Sequence, residues 1–313
     1  MPASCVLISR RSHDKKPISN VGASVRQRLL NLRDKTGEDF NALLTQFAIE
    51  RFLYRLSQSS LADRVVLKGA MLFRVWSGSL HRPTKDVDLL GYGEATTAAV
   101  AAMIRQIITA AVEDDGVLFD ADSVKAEEIR EDQEYGGIRA VFTATLDKAV
   151  IPLQVDVGFG DTITPAAEYR IYPVLVGMTA PRLRMYPVET VVAEKLEAAV
   201  KLGMINSRMK DFYDLLVIFR QYPYDSRLLT RAVAETFARR GTPLPRAVPP
   251  GLCDEFGSDP AANRLWREFL ARMQLANEPT DFAVVIRTIR ERLWPTIEAA
   301  GKQANAPTPG SST

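Results

Sequence analysis

Two aspartates one residue apart, Asp86 and Asp88, stand in the run Arg82-Pro-Thr-Lys-Asp-Val-Asp88. Their alternation with Val87 and Leu89 has the period of a half-buried strand, so both carboxylates leave the same face. Carboxylates that close repel unless a cation joins them. Magnesium is held in this way, by one or two carboxylates with substrate phosphates completing its shell. The plain alternative for a bare D-x-D pair is that one aspartate caps a turn and the other is solvated. Downstream, Ile151-Pro-Leu-Gln-Val-Asp-Val157 sets Asp156 among apolar neighbours just ahead of Gly158, where a carboxylate is costly unless paired or metal-bound. Asp86, Asp88 and Asp156 on neighbouring strands would suit a two-metal site, with ions about 3.5–4 Å apart clamping attacking and leaving oxygens. Asp161 reads as a loop cap.

Upstream, Lys68-Gly69-Ala70 ends a short β-branched run and opens a helix, a turn that offers backbone N–H groups to phosphate oxygens; an ordinary strand-to-helix turn is the competing reading. Further on, Lys195 follows Glu194 on an amphipathic helix, and Asp211 and Asp214 share one face of the next. A lysine aimed into a cleft neutralises triphosphate charge, whereas one on the surface only pairs along its helix. Asp211 could orient Lys195 or the nucleotide, with Lys210, Arg208 and Asp214 as ion-pairing support or surface salt bridges. The run Tyr135-Gly-Gly137 with Arg139 reads as a hairpin turn entering a strand and is set aside.

Composition removes other chemistries. His13 and His81 are the only histidines, which excludes His-rich zinc sites and gives little room for Ser-His-Asp catalysis. Cys5 and Cys253 are too few for a disulfide framework and fit a reducing, cytoplasmic setting. The chain has 40 basic and 38 acidic side chains, so any basic surface must be local. Arg264, Arg267, Arg272, Arg287, Arg290 and Arg292 could form one for RNA or an acidic protein, although Glu268 and Glu291 interrupt it. Neither a signal peptide nor a membrane span is expected.

The elements that must position these residues follow from apolar periodicity. Helices are expected over Ser24–Arg33 and Asp39–Leu56, then a strand at Arg64–Leu67, a helix from Met71 to Trp76 and the aspartate strand. A helix from Thr97 to Val112 precedes strands at Ser123–Ile129, Ile138–Leu146 and Ile151–Gly158, with a further one at Ile171–Val176. From Pro187 onward the text is helical: Val188–Leu202, Ser207–Arg220, Ser226–Arg239, Ala262–Leu275 and Asp281–Ala300. Trp266, Phe269, Phe282 and Trp294 are expected in its core. Strands early and helices late predict an α+β fold with a mixed sheet. The expected organisation is a flexible leader (1–20), a core with N-terminal helices (21–180), a helical domain completing the cleft (181–302) and a disordered tail (303–313).

Taken in order, Leu67-Lys-Gly-Ala70, Arg82-Pro-Thr-Lys-Asp-Val-Asp88, Val155-Asp156, Glu194-Lys195 and Lys210-Asp211 resemble the motifs of the AbiEii/AbiGii toxin family. That family lies in the DNA polymerase β-like nucleotidyltransferase superfamily and includes type IV toxin–antitoxin and MenT toxins. The resemblance covers about residues 65–216. It implies a nucleotidyltransferase core, with Lys68, Gly69 and Ala70 as the phosphate-gripping turn and Asp86 and Asp88 as the metal-binding pair. Asp156 would be the third carboxylate, as general base or second-metal ligand, with Lys195 and Asp211 at the nucleotide. The turn departs from pattern in Ala70, where a second glycine is usual, and in Met71, where a small hydroxyl residue is. The expected activity is Mg2+-dependent transfer of a nucleoside monophosphate from an NTP to RNA such as a tRNA 3′ end. The expected role is a phage-defence (abortive-infection) toxin neutralised by a cognate antitoxin. A transferase acting on a protein or small molecule, or a non-catalytic nucleotide-binding module, is the alternative.

Overall fold

The structure is a computed structural model that describes residues 20–78, 81–129 and 136–304. The expected leader, His13, Cys5, Tyr135 and almost all of the tail lie outside them. Helices α1 (Val21–Thr36) and α2 (Phe40–Gln58) open the fold. Asn20 and Asp39 cap them by accepting from the Ala23 and Ala42 N–H groups, and Gly37 ends α1 in the left-handed region at φ 76°. Strand β1 (Val65–Lys68) runs into a single 3-10 turn, Gly69–Met71, and α3 (Leu72–Ser77). The aspartate strand β2 (Asp86–Gly91) and helix α4 (Thr97–Ile108) follow. Helix α4 stops short of the expected Val112: Thr109 caps it, and the Ala110 N–H turns to the Ile107 carbonyl in a tighter i→i−3 bond.

Strands β3 (Val117–Ile129), β4 (Gly137–Leu146) and β5 (Ala149–Phe159) form a meander. Short β6 (Glu168–Ile171) and β7 (Arg182–Met185) complete a seven-stranded sheet of order β3-β4-β5-β2-β1-β7-β6. The β2–β5 and β1–β7 pairs are parallel and the others antiparallel, so the sheet is mixed. The strand expected over Ile171–Val176 is not formed. Past Ile171 the chain leaves the ladder and anchors on the N-terminal helices instead. The Leu175 N–H bonds to Glu50, and the Val176 carbonyl accepts from Arg28. Strand β7 was not legible, being four residues between Pro181 and Pro187, and it carries the sheet into the stretch expected to be helical.

Helices α1, α2 and α4 pack on one face of the sheet, over Val87, Leu89, Val155 and Leu67, all at most 1% exposed. Their partners in alternation, Asp86, Asp88, Asp156 and Lys68, fall on the other face. The C-terminal part comprises α5 (Val188–Leu202), α6 (Met209–Gln221), α7 (Ser226–Arg239), α8 (Asp254–Ser258), α9 (Pro260–Met273) and α10 (Phe282–Ala304). Its core is aromatic: Phe212, Phe256, Trp266 and Phe282 are buried against one another, and the Trp266 indole donates to the Pro279 carbonyl. Trp294 packs at its margin.

Candidate active site

Strand register assembles the sheet side of the site. Arg139 pairs with Asp156, Asp156 with Asp88, and Asp88 with Lys68. These four residues make one row across β4, β5, β2 and β1, with Asp86 beside Gln154 one step along. Neither Asp86 nor Asp88 has a hydrogen-bond or ion-pair partner among the described residues. Burial pushes the Asp88 carboxyl up to about 6, with Asp156 and Asp86 adding to the rise against Lys68 and Lys210. Partial burial and the Asp156 charge raise Asp86 too.

Gly69 explains how Asp88 lies so close to the turn. Its φ is +75°, and a Cβ there would sit 1.9 Å from Asp88 Oδ2, so only glycine allows both the backbone conformation and the approach. Ala70 and Met71 are buried. Met71, at the position where the family has a small hydroxyl, points its sulfur at the Tyr172 hydroxyl, 3.8 Å away.

Asp156 and Lys68 are committed elsewhere. Arg139 donates through Nε and Nη2 to the two Asp156 oxygens at 2.9 and 2.8 Å, and the Gln154 amide lies 3.2 and 3.3 Å from the same oxygens. The Asp156 hydrogen bond holds the Arg139 guanidinium in its charged form. Lys68 Nζ donates to Asp161 at 3.0 Å and lies 3.5 Å from Glu194. Arg240 joins Asp161, Glu194 and Glu197 in the same buried network. Burial opposes the Lys68 charge, but Glu194 and Asp161 outweigh it and raise its pKa. Asp161 is thus a carboxylate that bridges Lys68 and Arg240, and not a loop cap.

Opposite the row, α5 and α6 build a second cluster on Asp214, which is fully buried. Lys195 Nζ lies 2.7 Å from Asp211 and 2.8 Å from Asp214. Arg82 makes a two-pronged bond to Asp214 at 2.8 and 3.0 Å. His81 Nε2 lies 2.8 Å from Asp214 as well, and burial lowers the ring's pKa despite that bond, so it is a neutral donor. Burial alone would raise Asp214; Lys195 and Arg82 overcome it and hold the carboxylate well below its ordinary range. Arg208 pairs with Asp211 at 2.8 Å across one turn. Arg82 ties the approach to β2 onto α6, and the Lys210 charge on the first turn of α6 acts on both Asp86 and Asp88. The α6 N-terminus therefore faces the carboxylate row.

The site brings together Lys68, Gly69, Asp86, Asp88 and Asp156 on the sheet and Lys195 and Asp211 on the helices. Arg139, Lys210, Arg82 and His81 join them, and sequence reasoning gave none of these four a firm place there. The signal for Arg139 was its hairpin register, two residues into β4 and opposite Asp156. Asp86 and Asp88 suit a hard divalent cation: they are oxygen donors without partners among the described residues, on one face, and crowded by like charge. The expected third carboxylate, Asp156, is paired with Arg139 in this structure, and among the described residues no group of three His, Cys, Asp or Glu side chains is arranged to hold a metal ion. Among the described residues no helix is long and apolar enough to cross a membrane.

A family model described as nucleotidyl transferase AbiEii toxin, type IV TA system, matches residues 51–293. Among solved structures, a Helicobacter pylori protein assigned as a nucleotidyltransferase is similar in fold. It is 14% identical over 83% of this chain and 98% of its own, with a TM-score of 0.51. MenT4, a nucleotidyltransferase toxin of Mycobacterium tuberculosis H37Rv, is 19% identical over 91% of this chain and 99% of its own, with a TM-score of 0.47. No curated protein matches at a significant level.

Proposed function

The chain belongs to the AbiEii family of nucleotidyltransferase toxins of type IV toxin–antitoxin systems, and from that premise we propose that Asp86 and Asp88 form a Mg2+-dependent centre transferring a nucleoside monophosphate from an NTP to RNA. As a member of that family the protein is an enzyme with an NTP substrate and a cognate antitoxin. The observation that carries the reading is the pair itself, two carboxylates without partners among the described residues, on one strand face, set against the Gly69 turn and facing α6. A divalent cation held there would neutralise charge on the phosphates.

The protein's own groups would do the rest. Backbone N–H groups of the Gly69–Met71 turn would receive phosphate oxygens. Lys195, oriented by Asp211 and Asp214, would place a fixed positive charge beside the triphosphate. Lys68, fixed on Asp161 and Glu194, would lend its field to the row without needing to move. A tRNA 3′ end is the acceptor we favour, on the family's character; the site's geometry bears on the donor half of the reaction.

The test is induction of the wild-type chain beside Asp86→Ala at equal folded expression, with α-labelled NTPs supplied to lysates and label followed into RNA and protein. Growth arrest and RNA labelling by the wild type alone are expected. Label in protein would move the acceptor to the alternative class. Arrest by both chains would remove catalysis as the cause of toxicity.

A further inference from the structure

We infer that the site takes a single divalent cation, on Asp86 and Asp88, and that Arg139 holds the place at Asp156 where a second would bind. The inference rests on the cation-dependent reading above and deepens it.

Three observations carry it. First, the Arg139 fork uses two N–H groups on the two oxygens of Asp156 at 2.9 and 2.8 Å, the planar match that makes guanidinium–carboxylate pairs strong. Second, the Gln154 amide sits 3.2 and 3.3 Å from the same oxygens from within β5, so Asp156 is supplied with donors from two sides. A cation on Asp156 would have to displace both and then lie against a guanidinium of like charge. Third, the arrangement is fixed by the sheet. Arg139 and Asp156 are directly paired positions of an antiparallel ladder, so their side chains stand side by side on one face. Asp86 and Asp88 have no such donor among the described residues, and Lys68, although paired with Asp88 in the β1–β2 ladder, donates to Asp161 instead.

Charge along the row supports the same conclusion. From β4 to β1 it runs Arg139, Asp156, Asp88, Lys68; Arg139 is bonded to Asp156 whereas Lys68 is bonded to Asp161, so the unmatched charge is that of Asp86 and Asp88. Arg139 thus does with a permanent guanidinium part of what a second ion does in a two-ion site: it neutralises a carboxylate beside the reacting phosphate.

The experiment counts Mn2+ bound to the full chain, by electron paramagnetic resonance of free Mn2+ during titration. It compares wild type, Arg139→Gln and Asp156→Asn, with melting curves to confirm folding. The wild type is expected to bind one ion and Arg139→Gln two. Asp156→Asn should keep the first ion, since it removes no ligand of that ion. Two ions in the wild type, no second ion in a folded Arg139→Gln, or loss of the first ion in Asp156→Asn would each overturn the inference. If Arg139→Gln does not fold, Asp156→Asn decides alone. A wild type that binds no Mn2+ would remove the cation-dependent reading along with the inference, whereas two bound ions would remove the inference only.

Discussion

The carboxylates of β2 and those of α6 are the same chemical groups in opposite electrostatic states. Asp214 is fully buried and touched by Lys195, Arg82 and His81, and its pKa falls well below the usual range. Asp88 also lies largely out of water, yet no cation touches it among the described residues, and its pKa rises to about 6. Burial costs a carboxylate hydration in both places. On α6 that cost is offset inside the protein, and the result is a rigid anchor for Lys195 and the approach to β2. On β2 it is left standing, and the result is a pair that gains when a cation arrives. A buried charge that is compensated builds structure; one left uncompensated costs stability until a cation meets it.

Breaking each side should have different consequences. The largest effect belongs to Asp86→Asn, which halves the open charge. Loss of cation-assisted charge stabilisation of several kcal/mol should lower labelled-nucleotide transfer by about a thousandfold, with the fold intact by circular dichroism. Next comes Asp214→Ala, which strands Lys195, Arg82 and His81 around a void. Denaturant unfolding should show a loss of about 3–5 kcal/mol, the range for breaking a buried pair from one side.

Smaller and opposite in sign is the effect of neutralising Asp88 in the metal-free protein. Its folded-state pKa lies above its unfolded value, so ionisation opposes folding: the penalty is absent below about pH 4, grows through about pH 6 and is complete above. Asp88→Asn should therefore stabilise the metal-free protein at pH 8 by about 1–3 kcal/mol, as read from denaturant unfolding, and by little at pH 4. The smallest effect is expected for Arg208→Ala. Its partner Asp211 keeps Lys195, and Arg208 is 33% exposed, so the loss should be about 0.5 kcal/mol in the same assay.

Much of this contrast was legible in the sequence, and its limits have physical causes. Period-2 alternation placed Asp86 and Asp88 on one strand face, and helical spacing placed Asp211 and Asp214 together, because both patterns are local. The helices of the C-terminal part were also local and mostly fell within a few residues of their expected bounds. What local pattern could not carry was pairing between distant segments. Arg139 meets Asp156 only through the β4–β5 register, Asp161 meets Arg240 from the far end of α7, and Arg82 reaches Asp214 across more than a hundred residues of sequence. The same limit turned Asp161 into an expected cap and left Asp214 open between support residue and surface salt bridge. Strand β7 leaves no sequence signal because four residues between prolines hold too little periodicity, and Ile171–Val176 has the pattern of a strand without forming one because an apolar run can pack on helices as well as extend a sheet.

In the proposed reading the open pair on β2 performs the chemistry while the closed cluster on α6 holds it in place. The most direct measurement is transfer of α-labelled nucleotide into RNA by Asp88→Asn, run in Mg2+ beside the wild type with both melting curves recorded. The expected result is transfer reduced to background in a protein that melts no lower than wild type. Transfer within about tenfold of wild type, a difference of only about 1.4 kcal/mol in barrier, would contradict it and move the reacting centre away from the aspartate pair.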